Sequence, residues 1–405
     1  MKPKVSVIGG GFSGLVTARA LLSRGFQVQL FEKQNHFGGM IQSPHHELGI
    51  YETAANGLMN ALGVRELFVD AGVPMQSPPR AGRRRYIYRD QRLRQWPLSF
   101  METTRLIISW SKSRFSRRHL PLPEETIEQW CARVLTKETF RHLVAPALQG
   151  IYAGDSAKLS ASLLLHRLLS GPRHKVHPRG TVFAPKGLQQ LMIGLGQHLL
   201  RQGAELHLGQ AASPEILNSS ESLVVIAANA PAAARLLEPG QPKVAGLLER
   251  IEMLSLVTVQ VFADPNDQVI DGFGALFPRE SGIRSLGVLG DHVLFPQRSH
   301  LTSERWILGG ATDVGLEQMS DQQIVDVVRQ DRARLGGGKS WQGQVITRWP
   351  QALPHYTVEL ERVLKQIQLP DNIALIGNYL GSIGLSQILQ SADQLAQKWE
   401  ARFGR

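Results

Sequence analysis

Apolar positions along this chain repeat with two different periods, and the switches between them predict its elements. Val5, Val7 and Ile8 read as a short strand, Leu15 to Leu22 as a helix, and Val28 to Phe31 as a second strand ending at Glu32. Helices follow to about residue 75. Residues 78–94 form a Pro/Arg-rich link and then a short hairpin, Arg85-Tyr86-Ile87-Tyr88, a turn, and Arg92-Leu93. From 96 to 170 the pattern is helical. Pro121 and Pro123 there precede a helix whose first turn carries Glu124, Glu125 and Glu128, the end of a helix dipole that favours carboxylates.

Residues 181–202 predict a short strand, then Pro185-Lys186-Gly187 opening an amphipathic helix through Leu188, Leu191, Leu195 and Leu199. Val224 to Ala227 reads as a buried strand before a Pro-headed helix. Three β-rich runs come next, Leu254 to Phe262, Leu286 to Leu294 and Trp306 to Leu308, followed by a helix over Asp321 to Arg334. The chain closes with a strand at Ile373 to Ile376, a Gly/Ser loop from Gly377 to Gly384, and a final helix. No internal repeat or low-complexity tract is visible. A βαβ opening that resumes at the C-terminus around a β-rich middle argues for interleaved domains.

Composition narrows the class. At 405 residues, with 42% hydrophobic and 20% charged residues, the chain can bury a large core and make two or three domains. The single cysteine, Cys131, excludes an internal disulfide framework and fits a reducing compartment. No Cys/His spacing suggests a metal site. The four apolar residues before the first glycines are too few for a signal peptide, and no run approaches the ~18 residues of a spanning helix. A soluble or peripherally bound, cytoplasmic protein is expected.

The net charge of +11 is unevenly spread: residues 80–118 carry twelve Lys/Arg against Asp90 and Glu102 alone. Trp96, Leu98, Phe100, Leu106, Ile107, Ile108, Trp110 and Phe115 are interleaved with them. Cations mixed with aromatic and aliphatic groups suit the cytoplasmic face of an anionic membrane, and a solvated charged face beside a core helix suits the same pattern. No nucleic-acid module is present, so no nucleic-acid partner is expected.

The densest chemistry lies at the start. Gly9-Gly10-Gly11-Phe12-Ser13-Gly14 stands between the first strand and first helix, and Glu32 closes the second strand. This is the dinucleotide layout: glycines let the backbone approach a pyrophosphate at a helix N-terminus, and the acid meets a ribose hydroxyl. Lys33 follows, then a second glycine pair, Gly38-Gly39-Met40. Amides at that turn can approach a second part of a longer cofactor, which selects FAD over NAD.

Here the residues resemble the amine-oxidase-like flavoproteins, and within them the oxygen-dependent porphyrinogen oxidases, of which protoporphyrinogen oxidase is the type. The likeness is carried by Arg85 to Leu93 ending at Trp96-Pro97, by Leu148-Gln149-Gly150-Ile151-Tyr152-Ala153-Gly154-Asp155 with Lys158-Leu159-Ser160, and by Gly272 to Pro278. Ser285-Leu286-Gly287, Leu294-Phe295-Pro296, Gly309-Gly310, Arg348-Trp349, Leu353 to Tyr356 and Gly377 to Leu380 complete a collinear set over most of the chain. Departures are His36, Thr53-Ala54-Ala55 and Glu359. The segment between Gly203 and Ala228 is also too short for the family's β-meander, leaving only Ala211 or Ala212 for the adenine end.

The resemblance implies an α/β protein. Its Rossmann-like FAD-binding domain would be assembled from residues 1–76, 187–241 and 344–405, and 77–84 would be a link. A mainly helical membrane-associating domain would span 85–172, and a β-sheet substrate domain of α+β type would span 173–186 and 242–343. It implies FAD held by Gly9, Gly10, Gly11, Phe12, Ser13, Gly14, Glu32, Lys33, Gly38, Gly39, Met40, Ala54, Ala55, Asn56, Gly57, Trp349, Ile383, Gly384 and Leu385. For the substrate it implies Arg85 near a propionate, Gly150 against the macrocycle, and Phe273, Leu276, Ile307 and Leu308 on its faces. Core packing is an equal reading of Phe273 and Leu276.

The implied activity is oxidation of a porphyrinogen, protoporphyrinogen IX first, by molecular oxygen with peroxide as product, in haem biosynthesis. Coproporphyrinogen III, an amine or polyene substrate, and a weakly active porphyrin-binding protein remain alternatives. No side chain is assigned as catalytic, because the flavin carries the hydride chemistry; His166, His174 and His177 are left out for that reason. A homodimer is the default assembly.

Overall fold

The computed structural model describes residues 3–116, 118–170, 180–217 and 223–404. The chain opens β1 (Lys4–Ile8), α1 (Phe12–Leu22) and β2 (Gln27–Glu32). A hairpin, β3 (Arg85–Arg89) and β4 (Arg92–Arg94), leads into helices α2 (Phe100–Phe115), α3 (Ile127–Val134), α4 (Ala145–Tyr152) and α5 (Ala161–Ser170). Next come α6 (Gln189–Arg201), β5 (Glu205–Leu208), β6 (Leu223–Ile226) and α7 (Ala230–Leu237). The β-rich middle is β7 (Met253–Ala263), β8 (Gly274–Leu276), β9 (Gly287–Leu289) and β10 (Thr302–Gly309). Helix α8 (Asp321–Arg334), strands β11 (Gly343–Pro354) and β12 (Ile373–Leu375), and α9 (Leu385–Phe403) complete the chain.

Five strands form one parallel sheet in the order β12-β6-β1-β2-β5. Helices cover both faces, so β6 is continuously apolar and β1 is buried throughout after Lys4, while β2 alternates. Val5, Val7, Leu30 and Val225 pack with Leu15, Leu195 and Trp399 of α1, α6 and α9. Ile8, Val224 and Ile226 face the other way, onto Ala233, Leu237 and the helical layer around Trp130.

The second sheet has seven strands in the order β11-β7-β10-β9-β8-β3-β4, antiparallel except where β8 meets β3. Strand periodicity splits its faces. Val257, Val259, Val261, Trp306, Leu308, Ala275 and Phe277 pack against Ile324 and Val328 of α8. The intervening residues, Leu256, Gln260, Arg305, Ile307 and Leu276, belong to the opposite face, which meets the nucleotide half.

Three features depart from the sequence expectation. The run Leu286 to Leu294 does not continue as a strand: it ends at Leu289, and Asp291–Leu294 make a helical turn closed by the Phe295 amide on Asp291 oxygen at 2.7 Å. The hairpin expected to open the helical segment 85–172 is the last two strands of the seven-stranded sheet, with β4 at its edge, and the helices begin at Phe100. The segment 344–405 likewise starts inside that sheet, since β11 pairs along its length with β7 before the chain returns to the five-stranded sheet as β12. The shortened stretch after Gly203 forms β5 and a single turn, Pro214–Leu217; among the described residues no further strand stands between β5 and β6. Ala211 there is exposed, and Ala212 packs toward the core under β6.

Candidate functional site

The glycine loop is built so that backbone fills the space side chains would take. A Cβ on Gly14 would lie 1.8 Å from the Gly9 carbonyl oxygen, which lets α1 approach β1. Gly9 has φ of 111°, a conformation open to glycine, and turns against Ala227. Gly11 differs: a Cβ there would meet nothing within 4 Å. That open space lies where α1 begins, at an N-terminus with no side-chain cap and no acid in its first turn. Helix α9, packed beside α1, also starts uncapped and acid-free, at Gly384, with Ile383 before it and Leu385 after it. Unsatisfied N–H groups and like-oriented dipoles make such ends anion sites.

The acid is in place. Buried Glu32 accepts the Gly10 amide at 2.6 Å and the Gln34 amide at 2.8 Å. Gly38 donates to the Gly10 oxygen at 2.9 Å, so the second glycine turn, with Gly39 at φ of 58° and Met40 half-buried, closes onto the first. Ser13 and Gly39 are half-buried and Lys33 is exposed, while the Phe12 side chain belongs to the core and leaves only its backbone to the loop.

From there the segment Thr53-Ala54-Ala55-Asn56-Gly57 meets the second sheet. Trp349 of β11 donates its indole N–H to the Thr53 oxygen at 2.9 Å. Arg305 of β10 donates from Nη1 to the oxygens of Glu52 and Ala54 at 2.6 and 2.9 Å. Asn56 donates to Asp291 at 3.3 Å. Below this segment lie fully buried charges. Glu52 pairs with Arg298 at 2.7 Å and accepts from Ser43 and the Leu188 amide, and burial still pushes its carboxyl up. Asp291 is pushed up by burial too, against the pull of Arg305 and Arg298. Sequence reading missed Glu52, Asp291, Arg298 and Arg305. An arginine inside the apolar strand Trp306 to Leu308 extends was the available signal, because a buried guanidinium needs several fixed acceptors.

The substrate-assigned residues fall together on one patch of the second sheet. Ile307, Gly287 and Leu276 are in register across β10, β9 and β8, and Leu276 Cδ2 leans over the glycine, 3.2 Å from where a Cβ on it would stand. Gly150 of α4 sits over Leu276: a Cβ on Gly150 would be 2.1 Å from Leu276 Cδ2. Arg85 pairs with Gly274 at the next row, and its guanidinium lies 4.4 Å from the centre of the Phe273 ring. Arg84, Arg89 and Arg94 each have a carboxylate partner, Asp271, Glu102 and Asp90. Among the described residues Arg85 has no such partner; it is exposed, and partial desolvation by its neighbours lowers its affinity for the proton. A cation on an aromatic face with no counter-charge is a receptor for a carboxylate.

Leu308 is the correction. Its side chain is in the core beside Val257 and Trp306, on the α8 face, because strand neighbours point to opposite sides and Ile307 takes the slot side. A separate cavity of ≈ 150 Å³ beside α4 is lined by Gln149, Asp155, Arg279 and Thr312 among others, and by none of the slot residues. His166 is exposed; His174 and His177 lie outside the described residues. Cys131 is buried in the helical layer, and burial pushes its thiol up to about 12, far from a reactive thiolate.

An open glycine cradle, two uncapped helix ends and a buried ribose-seeking acid fit the phosphates and adenosine ribose of FAD. Comparison with known proteins agrees. Residues 7–68 match the family model described as an NAD(P)-binding Rossmann-like domain. The chain is 24% identical to the chloroplastic protoporphyrinogen oxidase of Oryza sativa subsp. japonica, over 97% of this chain and 87% of the relative. It superposes on a crystal structure from Exiguobacterium sp. 255-15, described as a candidate protoporphyrinogen oxidase, with a TM-score of 0.78, 19% identity and 99% of each chain covered. The cyclohexylamine oxidase of Brevibacterium oxydans IH-35A shares the fold at a TM-score of 0.71 and 16% identity, over 99% of this chain and 100% of that one. The pocket is that of an FAD-dependent oxidoreductase, and the plant relatives that match nearly the whole chain are protoporphyrinogen oxidases.

Proposed function

We propose that this protein oxidises a porphyrinogen, protoporphyrinogen IX foremost, with molecular oxygen as acceptor and hydrogen peroxide as product, in haem biosynthesis. The carrying observation is the slot itself: Leu276, Gly287 and Ile307 under Gly150, with unpartnered Arg85 on Phe273 at one edge. Its width comes from two glycines and its polarity from one guanidinium, which suits a large apolar ring carrying carboxylates.

Bound FAD supplies the two-electron acceptor for dehydrogenation and, through oxygen, the route to peroxide. This chain supplies the rest. Gly9 to Gly14, Glu32 and the Gly38-Gly39 turn hold the nucleotide end. The backbone from Ala54 to Gly57, fixed by Trp349 and Arg305, orients the reacting end. Ile307 and Leu276 exclude water, and Arg85 anchors a propionate. Six hydrogens leave the ring for each porphyrin formed, so the macrocycle must pass through three oxidations with three O₂ reduced to three H₂O₂. No acid or base is needed at a fixed atom for the hydride transfer itself.

Coproporphyrinogen III is the second reading, favoured by Arg279 at the cavity beside α4, since that substrate carries four carboxylates; Arg141 there is paired with Glu280. Aerobic turnover of both porphyrinogens, followed by porphyrin fluorescence and the flavin spectrum, decides between them. A colourless protein that takes up no FAD in large excess would end both readings.

Helix α2 supports a peripheral membrane association on the cytoplasmic face. Phe100 and Phe115 at its ends are each 90% exposed, Met101, Ile107 and Ile108 are exposed between them, and Arg105, Lys112 and Arg114 share the helix. Exposed aromatic and basic groups together match an anionic lipid surface. Among the described residues no helix is long and apolar enough to cross a membrane.

A further inference from the structure

Gly150 lies on Leu276 within α4, and the turn that ends this helix is held by backbone bonds and by one side chain. Ala153 adopts φ of 50°, a left-handed conformation unusual outside glycine, and its oxygen accepts the Ala311 amide at 2.8 Å. Asp155 oxygen receives the amides of Lys158 and Leu159. The Asp155 amide donates to Nε2 of His355 at 3.2 Å, and Nδ1 of the same ring lies 2.8 Å from a Glu252 carboxylate oxygen. A carboxylate only accepts, so Nδ1 carries the proton, and Nε2 must offer a lone pair to the amide. The imidazole is therefore neutral in this arrangement.

His355 is 1% exposed and has little freedom to adapt. A Cβ on Gly154 would come within 3.2 Å of its Cδ2, its own amide donates to the Glu252 oxygen, and the Tyr356 oxygen accepts from Ser160. The charged and titratable groups facing the ring are Glu252 on Nδ1 and Asp155 beyond Nε2, whose carboxylate is turned onto the Ala157 amide at 3.1 Å. Tyr356, next in the chain, stays a neutral phenol because burial pushes it up.

We infer that His355 is a positioning residue: while neutral it fixes the Gly150–Asp155 turn against the substrate slot, and its protonation releases that turn and weakens porphyrin binding. This rests on the porphyrinogen reading of the slot. A second proton on Nε2 would set N–H against N–H at Asp155, while the contact to Glu252 persists. The ring stays in place and the turn loses its hold.

The test compares wild type, His355→Gln and His355→Ala over a pH series that runs from alkaline to acid. Glutamine keeps an acceptor for the Asp155 amide but does not titrate. Two readouts are taken: the dissociation constant for protoporphyrin IX by fluorescence, and hydrogen exchange of the peptide covering residues 150–157 without ligand. Relative to His355→Gln, wild type should bind several-fold more weakly at the acid end, with lower protection once the intrinsic base-catalysed pH dependence of exchange is divided out. His355→Gln should show only the pH dependence of porphyrin itself in its affinity and a constant protection factor, and His355→Ala should be weak and poorly protected at every pH. Porphyrin protonation acts on all three alike. Identical pH dependence in wild type and His355→Gln would overturn the inference. If exchange follows the expected pattern while none of the proteins binds porphyrin at any pH, the hold on the turn stands and the porphyrinogen reading falls.

Discussion

Gly150 and Leu276 meet so closely that a single methyl on the glycine would come within 2.1 Å of Leu276 Cδ2. Leu276 is half-buried, so its side chain can turn aside, and the space it turns into is the slot. Gly150→Ala should therefore leave flavin content and melting temperature nearly unchanged and lower kcat/KM for the porphyrinogen about tenfold, some 1.4 kcal/mol of transition-state binding. Adding Leu276→Ala should recover most of that loss. Steady-state kinetics on the two variants check it, and an unaffected Gly150→Ala enzyme would remove the glycine from the site.

Two glycines of the first loop separate folding from cofactor binding. A Cβ at Gly14 collides with the Gly9 carbonyl, which is backbone and cannot yield, so Gly14→Ala should express poorly or melt well below wild type. Gly11 is different, with φ of −73° that any residue adopts and open space where its Cβ would point. Gly11→Ala should keep the wild-type far-ultraviolet spectrum and purify without yellow colour. Full flavin occupancy in Gly11→Ala would show that this space is not where the phosphates lie.

Arg85 should act on substrate alone. Arg85→Ala is expected to raise KM about tenfold with kcat and flavin content intact, and Arg85→Lys should recover only part of the loss, since an ammonium lacks the planar fork for a carboxylate. Equal kinetics for wild type and Arg85→Ala would take the guanidinium out of the slot.

The hairpin and α2 are joined by a pair with a defined pH signature. Arg89 makes two hydrogen bonds to Glu102, at 2.7 and 2.9 Å, and Glu102 also caps α2 through the Ser99 amide. Chiefly through Arg89, the Glu102 carboxyl is held at about 2 against an ordinary 4.5. Because the folded value is the lower one, its contribution is complete above about pH 4.5 and is lost as pH falls toward about 2. Thermal midpoints of wild type should drop across that window more steeply than those of Glu102→Gln, which already lacks the charge. Parallel curves would show that the pair does not hold the helix.

Phe100 and Phe115 project from α2 without core contacts, so Phe100→Ser with Phe115→Ser should not lower the melting temperature. Flotation with vesicles containing phosphatidylserine should lose most of the bound protein in this double variant, and added salt should weaken wild-type binding. Binding that is unchanged by both would place the lipid contact elsewhere or nowhere.

Much of this is legible in the sequence alone. The glycine loop, Glu32 and the Gly38-Gly39 turn are local signals, read from a few adjacent residues, and each lies where the spacing puts it. Residues defined by long-range geometry are harder. The family resemblance implies both Ile307 and Leu308 as slot residues, and only strand pairing fixes which of two successive side chains faces inward. Strand β11 is hidden because Arg348, Trp349 and Pro350 interrupt its alternation, although it pairs with β7. Glu304, Arg305 and Arg332 read as surface residues, yet they are buried because each finds partners from segments far away in the chain: Arg332 meets Glu304 and Asp267, and Arg305 meets the carbonyls of Glu52 and Ala54.

The order of strands in the five-stranded sheet has a consequence for synthesis. β1 is the first strand to emerge, but one of its neighbours is β6, near residue 225, and that strand's other partner is β12, near residue 374. The nascent chain must therefore carry an unpaired apolar edge at β6 until residues 373–375 have left the ribosome. Truncations that remove only α9 should leave an aggregation-prone remnant, because Ile388, Leu389, Ala392 and Trp399 of that helix cover the apolar face of the sheet around Val5 and Val7.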